Sequence, residues 1–100
     1  MLKQHLIDGR WFDEDTARIW NENTDWDGSN YISAVTGSQW DHQRLYNTAT
    51  GSWILGEWSQ VGTGEEMYTK IDEEAAARWL ILCDRKLPKE LSEFNDKLEV

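Results

Sequence analysis

Residues 44–71, RLYNTATGSWILGEWSQVGTGEEMYTKI, contain three β-prone runs separated by two short breaks with glycine. The runs are Arg44–Thr50, Trp53–Val61 and Glu66–Ile71, and the breaks are Gly51–Ser52 and Gly62–Gly64. Glycine adopts positive φ without strain, so short breaks of this kind are typical of hairpin turns. The stretch therefore predicts a three-stranded antiparallel meander.

The middle run has apolar side chains on both of its faces. One face would carry Trp53 and Leu55, and the other would carry Ile54 and Trp58. A strand that is covered on both faces lies in the interior of a sheet, so we predict that this run is the central strand. Gly56 within it predicts a bulge or a place where another group comes close to the backbone.

The sequence after the meander is typical of helices. Asp72–Ala75 resembles a helix start, because acidic side chains cap free amides and favour the positive end of the helix dipole. Apolar residues then recur at i, i+3, i+4 and i+7, namely Ala76, Trp79, Leu80 and Cys83. This spacing predicts a helix with one apolar face. A second, short helix is predicted after Pro88, where apolar residues again have helical spacing: Leu91, Phe94 and Leu98.

The N-terminal half is less regular. Asp8–Gly9 between the β-prone runs Lys3–Ile7 and Arg10–Phe12 predicts a hairpin. Acidic residues followed by apolar residues one turn apart predict a short helix over Glu14–Glu22. Residues 21–43 are rich in Asn, Asp, Ser, Gly and Thr, and we predict a long loop that is anchored by aromatic side chains.

These segments predict one α+β domain over residues 1–100. We expect an antiparallel sheet of three or more strands, formed by the meander and the N-terminal hairpin, with two or three short helices packed on it. The chain has 39% hydrophobic and 29% charged residues, which fits a single compact domain. A chain of this length leaves little room for a cofactor cavity, so no cofactor is predicted.

The net charge excludes several kinds of partner. Ten Lys and Arg side chains against nineteen Asp and Glu give a formal net charge of −9. This charge repels phosphate backbones and anionic lipids, so we expect no direct binding to nucleic acid or membranes. It favours a basic protein as the partner.

Cysteine usage and the N-terminus suggest a reducing compartment. Cys83 is the only cysteine, which excludes an intramolecular disulfide, and its place on an apolar helix face predicts a buried thiol. Residues Met1–Gly9 lack the apolar run of a signal peptide. No stretch has the roughly 18 consecutive apolar residues that a membrane-spanning helix needs. We therefore expect a cytoplasmic protein.

No metal site is predicted. His5 and His42 are the only histidines, and neither is near Cys83 in sequence. Asn23–Gly28 matches the first half of a calcium loop, but Ala34 stands where the loop needs a bidentate Glu. An Asx-rich turn is the better interpretation of this segment.

Seven tryptophans are more indole than so small an interior readily encloses. Trp53, Trp79 and Trp20 fit the core. Three indoles lie in polar regions of the sequence, namely Trp26, Trp40 and Trp58. We expect them to be partly exposed and to anchor a protein partner. These aromatic rings beside Asn30, Asn47 and Gln60 would also suit stacking on a sugar, although no spacing requires it.

Three acidic clusters accompany the aromatics: Asp13, Glu14 and Asp15; Glu65 and Glu66; and Asp72, Glu73 and Glu74. Helix-start chemistry explains the first and third clusters, and the flank of a turn explains the second. The functional hypothesis is that they form a negative face that steers a basic protein and competes with nucleic acid for its binding channel.

Several short segments together resemble a group of small uncharacterised proteins of bacteria, phages and plasmids. They are Leu6–Phe12, Thr16–Ala17, Leu45–Leu55, Asp72–Ala75 and Trp79–Leu80. The resemblance spans roughly residues 6 to 91 and implies a compact α+β domain from a mobile or accessory genetic setting. It implies no catalytic motif.

The sequence thus favours a non-enzymatic protein-binding module, an inhibitor or regulator from a phage or mobile element that acts on a basic, nucleic-acid-binding partner. The alternative is a small ligand-binding or enzymatic domain built on residues 23–43, with Tyr31, Asp41 and His42 as its polar groups. A homodimer that buries the exposed aromatics is a third hypothesis.

Overall fold

The computed structural model describes residues 1–100 and has an α+β fold. The strands are β1 Lys3–His5, β2 Trp11–Asp13, β3 Arg18–Asn21, β4 Thr24–Trp26, β5 Tyr31–Ser33, β6 Asp41–Asn47, β7 Trp53–Ser59 and β8 Met67–Ile71. The helices are α1 Glu73–Leu82 and α2 Phe94–Lys97, with single 3₁₀ turns at Glu14–Thr16 and Lys89–Leu91. The main sheet has the antiparallel order β3-β6-β7-β8, while β1-β2 and β4-β5 form separate two-stranded ribbons.

The predicted meander is confirmed as β6, β7 and β8. Leu45 lies opposite Leu55, and Leu55 lies opposite Thr69, so the three strands are in register. Gly51 closes the first turn with a φ of 90°, the conformation that glycine adopts without strain. The fourth strand, β3, adds to the free edge of β6.

The helix predicted over Glu14–Glu22 is wrong. Only Glu14–Thr16 forms a 3₁₀ turn, and Arg18–Asn21 is an edge strand. Ile19 lies opposite Tyr46 and Trp20 opposite Leu45, so pairing with β6 outweighs the weak local helix signal. The first acidic cluster still caps a helical turn, because the Asp13 side chain accepts a hydrogen bond from the Asp15 amide.

Residues 21–43 are more ordered than the predicted long loop. They contain the β4–β5 hairpin and the start of β6. Asp27 Oδ1 accepts hydrogen bonds from the amides of Ser29 and Asn30, at 2.8 and 2.7 Å. The Asx-rich turn predicted in this segment is thus confirmed, and it joins two strands.

The main sheet is covered on both faces by different elements. On one face α1 and the C-terminal turns form a core of ten buried residues, to which the sheet contributes Leu45 and Trp53. On the other face the N-terminal ribbon packs through Leu6 and Phe12. The sheet residues beneath it are Tyr46, Ile54 and Tyr68. The predicted two-sided burial of the middle strand is therefore confirmed.

The two C-terminal predictions differ in outcome. The first helix is confirmed as α1, with the Asp72 side chain accepting a hydrogen bond from the Ala75 amide at 2.8 Å. The segment after Pro88 forms a 3₁₀ turn followed by the four-residue α2 in place of one continuous helix. Leu91 and Phe94 nevertheless reach the core, at 0% and 8% exposure. Burial of these apolar side chains, more than helix propensity, fixes the segment.

At Gly56 the side chains of Glu66 and Tyr46 come close to the backbone, as the sequence predicts. A Cβ atom at this position would lie 2.0 Å from Glu66 Oε2 and 3.0 Å from Tyr46 Cε2. Glu66 cannot move away freely, because it accepts a hydrogen bond from the Tyr46 hydroxyl at 2.8 Å and forms an ion pair with Arg44 at 3.3 Å. The sheet therefore needs glycine here so that Glu66 can lie over the strand.

We predict that Gly56→Ala lowers the free energy of unfolding by about 1–3 kcal/mol, the usual cost of overpacking. In a Glu66→Ala background the same substitution should cost measurably less, because the carboxylate is gone. Urea denaturation of the two single variants and the double variant gives the coupling energy. Strictly additive losses would contradict the proposed contact.

Candidate functional site

The structure places the predicted site residues in two groups. The first is Trp26 and Tyr31, which lie opposite each other in the β4–β5 hairpin with ring centroids 5.0 Å apart. Both are exposed, at 59% and 64%. The two rings thus form an exposed aromatic pair. The strands of this hairpin pair only with each other.

The hairpin is held in shape before any partner arrives. Its turn is fixed by Asp27, whose carboxylate accepts two amides and whose own amide donates to the Asn30 carbonyl at 3.0 Å. At its base, Ser33 is buried, and the Ala34 amide donates to the Asn23 carbonyl at 2.9 Å. A preformed loop loses little conformational entropy on binding.

The second group lies at one end of the main sheet. Asp41 and His42 begin β6, and His42 lies opposite Trp58 near the end of β7. Trp40 precedes them, and its carbonyl accepts the Gln60 amide at 2.8 Å. This end of the β6–β7 pair is the one away from the Gly51 turn.

The two tryptophans of this second group differ in exposure. Trp40 is half exposed, at 50%. Trp58 is half-buried, and its ring is already covered, since the Arg44 guanidinium lies 4.7 Å from the ring centroid and the His42 ring 5.6 Å away. Trp58 thus holds the sheet end together more than it offers a free aromatic face.

His42 is part of a buried ion pair. Its Nδ1 lies 3.0 Å from Glu22 Oε2, and the two side chains are only 14% and 8% exposed. The hydrogen bond that Nδ1 donates to the Glu22 carboxylate raises the pKa of His42, and burial opposes this. Glu22 also accepts the Gln43 amide. The pair therefore ties the end of β3 to the start of β6.

The other His42 nitrogen, Nε2, is buried and has no hydrogen-bond partner. A general base must reach the proton that it removes, directly or through one water. Neither nitrogen of His42 meets this condition, because Nδ1 is taken by Glu22 and Nε2 is enclosed. Tyr31, another polar group of the enzymatic alternative, packs against Trp26 in the hairpin with the two rings tilted by 59°.

Members of the predicted acidic clusters have different roles in the structure. Asp13 and Asp72 are caps, and Glu66 is held between Arg44 and Tyr46. Burial raises the pKa of the Tyr46 hydroxyl well above its usual range, which keeps it a donor to Glu66. Glu65–Glu66 and the Asp72–Glu74 cluster flank opposite ends of β8. Burial and the nearby carboxylates of Glu66 and Glu14 raise the pKa of Tyr68, so members of the first and second clusters approach each other here. Glu73 is exposed, and Glu74 forms an ion pair with Arg78 at 3.3 Å.

Charge is unevenly distributed along the chain, and the total charge does not reveal this. Between Arg18 and Lys70 the chain has a single basic residue, Arg44, and seven acidic ones: Glu22, Asp25, Asp27, Asp41, Glu57, Glu65 and Glu66. About two-thirds of the net charge of −9 thus lies in residues 19–69. The positions of Lys and Arg along the chain are the sequence signal that reveals it, whereas the total charge does not.

Some of these acids line a groove at the sheet end, which we call the acidic groove. Its volume is about 460 Å³, and it is bounded by the start of β6, the end of β7 and the loop before β8. Asp41, Glu57 and Glu65 line it, with exposed Val61 and Met67 beside them, and no Lys or Arg does. The groove therefore combines negative charge with apolar contact area.

Two of the exposed indoles, Trp26 and Trp40, also lack cations over their rings. Trp11, Trp20 and Trp58 each have a Lys or Arg over the ring, at 4.5 to 5.3 Å. Trp26 and Trp40 have none, because no basic residue of the chain reaches them. Their faces are left for a cation from another molecule.

The remaining candidates give no reactive centre. Burial raises the pKa of the Cys83 thiol, and Cys83 is fully enclosed in the core. His, Cys, Asp and Glu side chains do not form a cluster of three that would hold a metal ion. None of the helices has the length and apolar character needed to cross a membrane.

No family model, curated protein or solved structure matches the chain. The resemblance to small proteins of bacteria, phages and plasmids therefore stays a prediction. The chemistry of the surface carries the functional argument.

We predict that the Glu22–His42 pair makes stability depend on pH. Because the pKa of His42 is raised on folding, its stabilisation is fully present below the unfolded-state pKa of about 6.5 and is lost as pH rises through the folded-state value. Urea midpoints measured between pH 6 and pH 9 should fall for the unmodified protein and fall less for His42→Gln.

His5→Gln is the matched control, because His5 is exposed and has no acidic partner. It should retain the pH dependence of the unmodified protein. Equal pH dependence in His42→Gln and His5→Gln would show that the buried pair contributes nothing in this range.

Proposed function

We propose that the protein is a non-enzymatic binding module that recognises a basic surface on another protein. The observation that carries the proposal is the acidic sheet end, where three carboxylates line a groove free of Lys and Arg. Charge of one sign in a groove steers a partner of the opposite sign and discriminates against acidic competitors.

The exposed aromatics supply the second part of the interface. Trp26, Tyr31 and Trp40 are each at least half exposed. Tyr and Trp are the usual anchors of protein interfaces, because they bury much area and have few rotatable bonds. A partner that presents Arg or Lys would satisfy both parts, through ion pairs with the groove and cation contacts with the uncovered rings.

We propose a basic protein that binds nucleic acid as the partner. Its binding channel is positively charged and therefore complementary to the negative charge of the acidic groove. Occupying that channel would exclude a phosphate backbone and inhibit the partner. This proposal extends to a role as an inhibitor or regulator from a phage or mobile element. The enzymatic alternative receives no support from the geometry of His42, whose nitrogens are enclosed or paired.

We predict that the acidic groove, and not the net charge alone, determines binding. The probe is a twelve-residue peptide that alternates Arg and Leu, titrated by calorimetry at about 150 mM salt, where the Debye length is about 8 Å. The groove variant Asp41→Asn/Glu57→Gln/Glu65→Gln should bind at least tenfold more weakly than the unmodified protein.

The control variant is Glu73→Gln/Asp96→Asn/Glu99→Gln, which changes the net charge equally at exposed sites that line no part of the groove. It should bind within about threefold of the unmodified protein, since distant charges are screened. Equal weakening of both triple variants, or no binding by the unmodified protein, would overturn the proposal.

The aromatic anchors predict a separate effect. Trp26→Ala and Trp40→Ala should each weaken peptide binding by at least fivefold at every salt concentration, because packing on a ring is less screened than an ion pair. Replacing Ile81, an exposed apolar residue of α1, by Ala is the matched control. Unchanged affinity in both Trp variants would remove the aromatic part of the proposed interface.

A further inference from the structure

A second hollow lies at the other end of the β6–β7 pair, beside the Gly51 turn. It has a volume of about 370 Å³, lies between the N-terminal ribbon and residues 48–52, and is open to solvent on one side. Seven-residue strands are roughly 20 Å long, so this hollow and the acidic groove are far apart. Ligand sites for small molecules start at about 300 Å³, which makes the hollow large enough for one ring.

The hollow is mostly apolar. Its floor consists of the nearly buried side chains Leu6, Phe12 and Ile54. Trp11 forms a wall, with half of its surface exposed and the Lys3 ammonium 4.5 Å from its ring centroid. The ribbon thus covers the sheet only in part at this end, and the gap that remains is bounded by apolar side chains.

Most polar groups around the hollow are already paired with one another. The Thr48 and Thr50 hydroxyls are 3.0 Å apart. Asp13 accepts the amides of Leu2 and Asp15 through Oδ1. Arg10 forms an ion pair with Asp8 at 2.6 Å. Because Arg10 is paired with Asp8, it contributes little net attraction for a charged ligand, whereas Asp13 keeps its negative charge, since its partners are neutral amides.

Lys70 is the exception. It lines the hollow from β8, opposite Ile54, and has neither an ion pair nor a hydrogen bond. A lone ammonium beside an apolar floor suits a molecule with an apolar ring and one negative group. The chain has a net charge of −9, yet this hollow has an unpaired cation in its lining. The acidic groove, in contrast, is lined by carboxylates.

We propose that this hollow is a binding site for a small aromatic carboxylate. The ring lies on Phe12 and Ile54 against Trp11, and the carboxylate accepts hydrogen bonds from Lys70. The site is independent of the proposed protein interface, because no residue lines both the hollow and the acidic groove.

Phenylacetate and its uncharged amide, phenylacetamide, test the proposal. Titration into ¹⁵N-labelled protein should shift the amide signals of residues 48–52 and of Trp11, with saturation by phenylacetate. Phenylacetamide should bind at least tenfold more weakly, because it cannot form the charged contact with Lys70. Equal affinity for the two compounds would overturn the proposal, as would shifts centred on residues 57–65.

Variants separate the two parts of the site. Lys70→Gln should weaken phenylacetate binding at least fivefold and leave phenylacetamide binding unchanged. Lys86→Gln is the matched control, since Lys86 is exposed and lies outside the hollow, and it should bind like the unmodified protein. Thr50→Trp should abolish binding of both compounds by filling the hollow from its exposed rim. Unchanged binding in Lys70→Gln or Thr50→Trp, with a native circular dichroism spectrum, would show that the compound binds elsewhere.

Discussion

The structure depends on one constraint: the two central strands, β6 and β7, have apolar side chains on both faces and must be covered on both. Leu45 and Trp53 require cover on one face, and Tyr46 and Ile54 require it on the other. A chain of 100 residues has little material for this purpose. It uses α1 with the C-terminal turns on one face and a ribbon of two three-residue strands on the other. The order of the elements along the chain follows from this division.

The cover is incomplete at the ends of the strands, and the proposed binding surfaces lie there. At the start of β6, the Trp79 indole of α1 donates a hydrogen bond to the Gln43 side chain at 3.1 Å, and charged side chains form further contacts. Arg44 and Glu66 close one face over Gly56, while His42 and Glu22 join β6 to β3. Because the one basic residue of this region is used inside the network, the acids around it stay unbalanced. The acidic groove is thus a consequence of incomplete coverage.

Elements with strong local signals could be predicted from the sequence, and elements that depend on distant partners could not. The meander has its glycine breaks and α1 has its Asp72 cap, so both were predictable. Ala17 and Trp20 lie one helical turn apart, but Ile19 and Trp20 fit a strand equally well, and the free edge of β6 decides between the two. The β4–β5 hairpin has strands of three residues, too short for a clear alternation. The pairing of Glu22 with His42 joins residues 20 positions apart through β3–β6 pairing, which sequence spacing does not encode.

The surplus of indole that the sequence implies is divided between the two ends of the sheet. Trp53 and Trp79 are buried, at 3% and 5% exposure, and three indoles are at least half exposed. Trp26 and Trp40 lie between Arg18 and Arg44, where the sequence has no Lys or Arg. Trp11, in contrast, lies beside Lys3 at the apolar hollow. The same residue type therefore has different charged neighbours in the two regions, which is the basis of the two proposed binding roles. An indole without a cation attracts one from a partner, and an indole that already has one leaves its remaining surface for an apolar ring.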